Sequence, residues 1–275
     1  MMDRDKVFLG TSGWVYKEWE GPFYQKSEKR KLRAYCRVFN SVEIDSTWYR
    51  NPSKGTVMGW LRYSPSNFIY TAKMPKLITH DKRLGLKGDI QADLNTFFEL
   101  MRPIQLGGKL GCLLIQLPPS YGYNPENLES FFQMLDPQFR FAVEFRNLSW
   151  IREETWQLLI KHKIAYASVD EPLLPPDVHL TTDFAYFRWH GRGKDPWFDY
   201  LYSKQELDQW IPKIEKATEN AKKIYGYFNN HFHGYAPENC LYLIEKLGLQ
   251  TEQQKKIKQR TSLKQTDINS FLNNK

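Results

Sequence analysis

Ser41-Val42-Glu43-Ile44-Asp45-Ser46-Thr47-Trp48-Tyr49-Arg50 alternates apolar and acidic side chains over its first half. That period of two is the pattern of a β-strand, whose successive side chains point to opposite faces. Val42 and Ile44 therefore share one face, and Glu43, Asp45 and Thr47 the other. Two carboxylates on one face of a strand cannot simply enter an apolar core, because an unpaired buried charge costs several kcal/mol. They must meet cations, hydrogen-bond donors or water. Trp48, Tyr49 and the turn signal Asn51-Pro52 follow directly, so acids and aromatics stand together at a strand end, as in the wall of a pocket.

Seven further strands are expected on either side of this one, giving starts near residues 7, 41, 67, 110, 139, 164, 184 and 223. The mean step is about 31 residues, and amphipathic helical segments fill most of the gaps. Ser53 and Asn124-Pro125 mark two helix starts. Eight strand-helix units in about 250 residues is the arithmetic of a (β/α)8 barrel. Between strands six and seven, Pro172, Pro175 and Pro176 leave little room for a helix. An open doubly wound sheet is the competing architecture, but no Gly-x-Gly-x-x-Gly follows the first strand. The expected fold is a single TIM-like barrel over residues 1–250 with a short basic C-terminal tail over 251–275.

Composition bounds the function. Of 275 residues, 41% are apolar and 25% charged, as in an ordinary globular protein. Aromatics reach 15%, and rings with polar tips often line sites that grip other rings or sugars. No apolar run is long enough to span a membrane, and the first ten residues lack the apolar core of a signal peptide. Cys36, Cys112 and Cys240 are far apart, as expected for free thiols in the cytoplasm. The net charge is +8, of which the tail alone carries +4. A Gln- and Asn-rich basic tail is commonly solvated, so the charge argues only weakly for nucleic acid.

Several motifs carry a family resemblance. Gly10-Thr11-Ser12-Gly13-Trp14, Phe39-Asn40-Ser41-Val42-Glu43-Ile44-Asp45-Ser46-Thr47, Gln116-Leu117-Pro118-Pro119-Ser120 and Ala142-Val143-Glu144-Phe145-Arg146 resemble the YecE-like family, domain of unknown function 72. Arg188-Trp189-His190-Gly191 and Tyr227-Phe228-Asn229-Asn230 look like its later motifs. The resemblance spans roughly residues 7–247 and implies a TIM-like barrel without an activity. Trp189 departs from it, standing where a smaller apolar residue is expected, and so does the basic tail.

Barrel enzymes place their chemistry at the C-terminal ends of the strands. Alternation brings Glu43, Asp45, Lys73, Gln116, Glu144, Arg146, Arg188, His190 and Asn229 to that rim, and strand six ends at Asp170. Trp14, Trp48 and Tyr49 could stack on a sugar, and Glu43 or Asp45 with Glu144 could form a glycosidase pair. Many barrel glycosidases, however, carry acids on strands four and seven, where this chain has Gln116, Arg188 and His190. Glu144, Asp170 and His190 could hold Mg²⁺ or Mn²⁺, but the interleaved Lys73, Arg146 and Arg188 would repel a cation. Neither a metal nor another cofactor is expected. The three cations instead point to a small anionic partner, phosphorylated or carboxylated and in some cases a sugar. Gly191-Arg192-Gly193-Lys194 lies where barrel phosphate sites often form. On this reading Glu43, Asp45, Glu144, Asp170 and His190 supply acid–base chemistry of a hydrolase, isomerase or lyase. Trp14, Tyr49, Lys73, Gln116, Arg146, Arg188 and Asn229 hold the substrate. The alternatives are a nucleic-acid-binding or metal-dependent phosphodiester-processing protein and a ligand-binding module without catalysis.

Overall fold

The computed structural model describes residues 3–255. Eight parallel strands lie in the order β1-β8-β7-β6-β5-β4-β3-β2. They are β1 (Val7–Thr11), β2 (Ser41–Ile44), β3 (Ile69–Lys73), β4 (Leu110–Gln116), β5 (Phe141–Glu144), β6 (Ala165–Asp170), β7 (Phe184–Trp189) and β8 (Lys223–Phe228). This is the expected TIM-like barrel, with helices packed around it.

The last side of the barrel, between β1 and β2, is closed differently from the rest. Only at the rim does the backbone pair across it, through a Ser12–Glu43 bridge in which the Gly13 amide donates to the Glu43 carbonyl at 2.8 Å. Below, side chains take over. The Leu9 amide donates to Asn40 Oδ1 and Asn40 Nδ2 donates to the Val7 carbonyl. The Thr11 amide donates to the Tyr35 hydroxyl, which donates in turn to the Ser41 carbonyl. A Cβ on Gly10 would lie 2.0 Å from that carbonyl oxygen, so only glycine lets the two strands approach this closely.

The helices follow the capping chemistry of the sequence. Ser53 accepts from the Thr56 amide at the start of Lys54–Tyr63, and Asn124 from the Asn127 amide before Pro125–Gln133. Before β8 the helical stretch is split in two, Lys204–Asp208 and Ile211–Asn220. Pro212 has no N–H to bond back into the first segment, so a new helix begins there. No helix forms between β6 and β7, in line with the three prolines. Trp189 fits because Gly226 stands opposite: a Cβ there would lie 2.9 Å from the indole, which stacks on Phe228 at 4.5 Å.

Polarity inside the barrel rises from base to rim. Phe8, Phe184 and Tyr225 pack at the bottom. Above them the Tyr186 and Tyr227 hydroxyls meet Thr71 and Ser41. Glu43, Glu144 and Arg188 form the next level, all fully buried. Beneath the barrel, Gln254 is buried and donates to the Val38 carbonyl, so the chain stays docked just past residue 250. From residue 256 onward the predicted basic tail lies outside the described residues. No described helix is long and apolar enough to cross a membrane.

Candidate active site

The rim is built in two storeys. The lower is an ion-paired plate around Arg188. Its guanidinium donates to Glu43 Oε1 at 2.6 Å and to Glu144 Oε2 at 2.5 Å, with all three side chains sealed from solvent. Glu43 also accepts from Ser12 and Tyr186, and Glu144 from Gln116 and Arg146. Two acids on strands two and five are thus held against one cation on strand seven, because alternation turns all three inward.

His190 completes the plate. Its Nε2 lies 3.3 Å from Glu144, and Nδ1 lies 3.0 Å from the Asn229 amide nitrogen. Arg188 and Arg146 nitrogens also lie 3.2 and 3.3 Å from Nε2, so the ring is enclosed by cations as well as by the carboxylate. Burial pushes His190 down to about 3; Glu144 opposes this, while Arg188 and Arg146 reinforce it. Burial alone would raise Glu144, but Arg188, His190 and Arg146 hold it well below the usual carboxylate range. The fixed charge of Arg188 settles the pair as carboxylate and neutral imidazole.

The upper storey is a cavity of about 540 Å³. Lys73, Gln116, Arg146 and Asn229 line its lower part together with Asp45. Lys73 Nζ is 3.3 Å from Asp45 and 4.5 Å from the centroid of Trp48. Burial pulls its pKa down, with Asp45 opposing and Arg188 adding to the fall. Arg146 is 14% exposed and stands 5.5 Å from the Trp197 ring. Aromatics form the walls. Tyr16 stacks on His231, which stacks in turn on Phe198, while Trp48 meets Tyr49 and His80 edge-on. Trp48 and Tyr49 ride on a one-turn helix, Ser46–Tyr49, that follows β2 directly. Burial pushes His80 down to about 4, and Lys73 and Arg146 add to this.

Most of the expected residues therefore gather, but not in the expected roles. Trp14, Asp45, Tyr49, Lys73, Gln116, Arg146 and Asn229 line the cavity, whereas Glu43, Glu144, Arg188 and His190 lie beneath its floor. Arg188, expected to grip an anion, is enclosed and already bridges two carboxylates. Asp170 is not part of the cluster at all. Ala165 and Ala167 face the barrel interior, so Asp170 points to the helices. There it accepts two hydrogen bonds from Arg192, at 2.6 and 2.8 Å, and one from the Trp210 indole at 2.6 Å. Asp170 consequently cannot join Glu144 and His190 as a third ligand, and no three His, Cys, Asp or Glu side chains among the described residues gather as metal ligands. Arg192 is engaged by Asp170 and Glu206, so the Gly191–Lys194 run is an anchored strap rather than an open anion loop.

Sequence reasoning missed Tyr16, Trp197, Phe198 and His231, which reach the cavity from loops, and Glu171. The same alternation that sends Asp170 outward brings Glu171 inward, where Arg146 and Glu144 act on it.

The strap carries Trp197 and Phe198 to the cavity, so its anchor is testable. Arg192→Ala should make the chain between Gly191 and Tyr200 sensitive to limited proteolysis and should also lower Tm, because Asp170 stays buried with the Trp210 indole as its remaining side-chain donor. A strap as resistant as in the wild type would show that Arg192 does not hold it.

Comparison with known proteins agrees with this architecture. Residues 8–265 match the family described as "Protein of unknown function DUF72". The chain belongs to the DUF72 family. It is 26% identical over 272 residues to UPF0759 protein YunF of Bacillus subtilis, covering 89% of this chain and 95% of that one. The crystal structure of a DUF72 family protein from Thermotoga maritima superposes with a TM-score of 0.80 at 34% identity, over 88% of this chain and 99% of that one. A DUF72 family protein from Enterococcus faecalis, at 24% identity and a TM-score of 0.79 over 90% and 97% of the two chains, has the same fold.

Proposed function

We propose that this DUF72 protein is an enzyme acting on a small anionic molecule, phosphorylated or carboxylated, with a sugar or other ring seated against the aromatic walls. The observation that carries the proposal is the charge of the cavity: Lys73 and Arg146 line it with Asp45 as the one opposing carboxylate. Glu43 and Glu144 outnumber Arg188 in the plate by one charge, and Arg146 meets the remainder through its Nε while also lining the cavity. Arg146 supplies a planar donor fork and Lys73 a point charge. Trp14, Trp48 and Tyr49 supply ring faces.

Within the cavity, Asp45 and Lys73 are the groups placed to move protons. Lys73 lies beside an acid, burial lowering its pKa while Asp45 opposes the fall, so the pair is placed to pass a proton to or from the ligand. Glu43 and Glu144 act from below by fixing Arg188, Gln116 and Arg146. A reducing intracellular setting suits the free thiols of Cys36, Cys112 and Cys240.

Thermal melts against sulfate, phosphate and sugar phosphates test the reading. A ligand at about 100 times its Kd stabilises by about 2.7 kcal/mol. Wild type should show such a rise, and Arg146→Ala and Lys73→Met should lose most of it. Equal responses in all three proteins would remove the anion site. A stabilising ligand that is never turned over would leave binding without catalysis.

A further inference from the structure

Glu171 is a buried carboxyl with little to satisfy it. The residue is 6% exposed, and its side-chain oxygens make no well-formed hydrogen bond, with the Leu173 amide as the one donor bearing on the carboxyl. A buried polar group in that condition costs about 1–3 kcal/mol and calls for a reason. Its place gives one. Glu171 follows the last residue of β6 and turns toward the barrel mouth, where four charged or titratable groups bear on it. Arg146 and Glu144 come from β5 and the turn after it; Asp170 and Tyr166 belong to its own strand. Arg146 is the one cation in that set, and it is also a lining residue of the cavity.

We propose that the cavity takes up its anion together with a proton, and that Glu171 is the group that holds this proton. The inference rests on the anion-site reading given above and adds the ionisation state in which the site works. In the empty cavity, Arg146 stabilises an ionised Glu171. An anion on Arg146 offsets that attraction and adds a like charge nearby, so the Glu171 carboxylate takes a proton from solvent and becomes a neutral acid. By reciprocity, protonating Glu171 leaves Arg146 freer to hold the anion. The balance falls in the physiological range, because burial pushes Glu171 up to about 7, Glu144 and Asp170 adding to the rise and Arg146 resisting it. The ligand class follows: the site favours an anion that arrives with its proton, such as the monoanion of a phosphate monoester, or an anion and a solvent proton in its place.

Sulfate is the suitable probe, since it stays fully ionised between pH 6 and 8. Calorimetric titrations of wild type should show affinity falling toward tenfold per pH unit above neutrality. They should also show up to one proton absorbed per sulfate, read from the dependence of the heat on buffer ionisation enthalpy. Glu171→Gln keeps the shape of the side chain and should bind sulfate with a clearly shallower pH dependence and less proton uptake than the wild type. Any pH dependence owed to Lys73 persists in that variant, so the comparison isolates Glu171. If Glu171→Gln retains the pH dependence and proton uptake of the wild type, the inference falls while the anion site stands. If sulfate binds wild type and Arg146→Ala alike, or binds neither, the anion site and this inference fall together.

Discussion

Arg188→Met is expected to lower the stability of the barrel by about 3–5 kcal/mol, the usual cost of removing one partner from a buried ion pair. The cause is local. Arg188 is the side chain that bridges Glu43 and Glu144, and without it two carboxylates face each other in a sealed interior. Arg146 reaches only Glu144 and cannot replace it. Urea denaturation should show a lower midpoint with an unchanged slope. The triple variant Glu43→Gln, Glu144→Gln, Arg188→Met removes the charges together and should regain most of the loss. It also keeps the test informative if the single variant does not fold. A single variant within 1 kcal/mol of wild type would mean that the plate does not hold the barrel mouth together.

The second large effect is acid sensitivity set by His190. In the folded protein burial keeps His190 neutral down to about 3, whereas in the unfolded chain it gains a proton near 6.5. Between those values the unfolded state binds more protons, so stability falls as pH falls. At about 1.4 kcal/mol per pH unit, the step from pH 6.5 to 4.5 costs about 2–3 kcal/mol. Glu171 works the other way. Its folded pKa is raised to about 7, so its contribution is present at low pH and is lost as pH rises through that value. His190→Gln should therefore flatten the acid limb by about 2–3 kcal/mol, and Glu171→Gln should steepen it. Denaturation curves at pH 4.5, 5.5 and 6.5 would measure both slopes. An unchanged slope in His190→Gln would show that the imidazole is already charged in the folded state.

The barrel could be read from the chain because strands rich in branched and aromatic residues recur at nearly even spacing and end in turn signals. The inward residues of β2, β5 and β7 could be read because polar and apolar side chains alternate there. Strand β6 offered no such contrast. Ala165 and Ala167 are small and Ser168 is neutral, so nothing in their hydrophobicity shows which way Asp170 turns or that Glu171 turns the other way. Charge counting showed that cations and acids converge, but which of them pair depends on distances across the barrel. Arg188 meets Glu43 from the opposite side of the mouth, a contact between residues 145 positions apart. Tyr16, Trp197, Phe198 and His231 lie in loops, where no period ties position to direction.

The junction of β1 and β2 gives the molecule a grain. Seven joints of this eight-staved cask are glued along the backbone, and the eighth is pegged by Asn40 and Tyr35. Trp14 hangs from one side of that joint, and Asp45, Trp48 and Tyr49 from the other. A ligand resting on both sides would act as a rivet: part of its affinity would be the free energy of keeping the cask shut, and a change at Tyr35, far below the ligand, would be felt as looser binding.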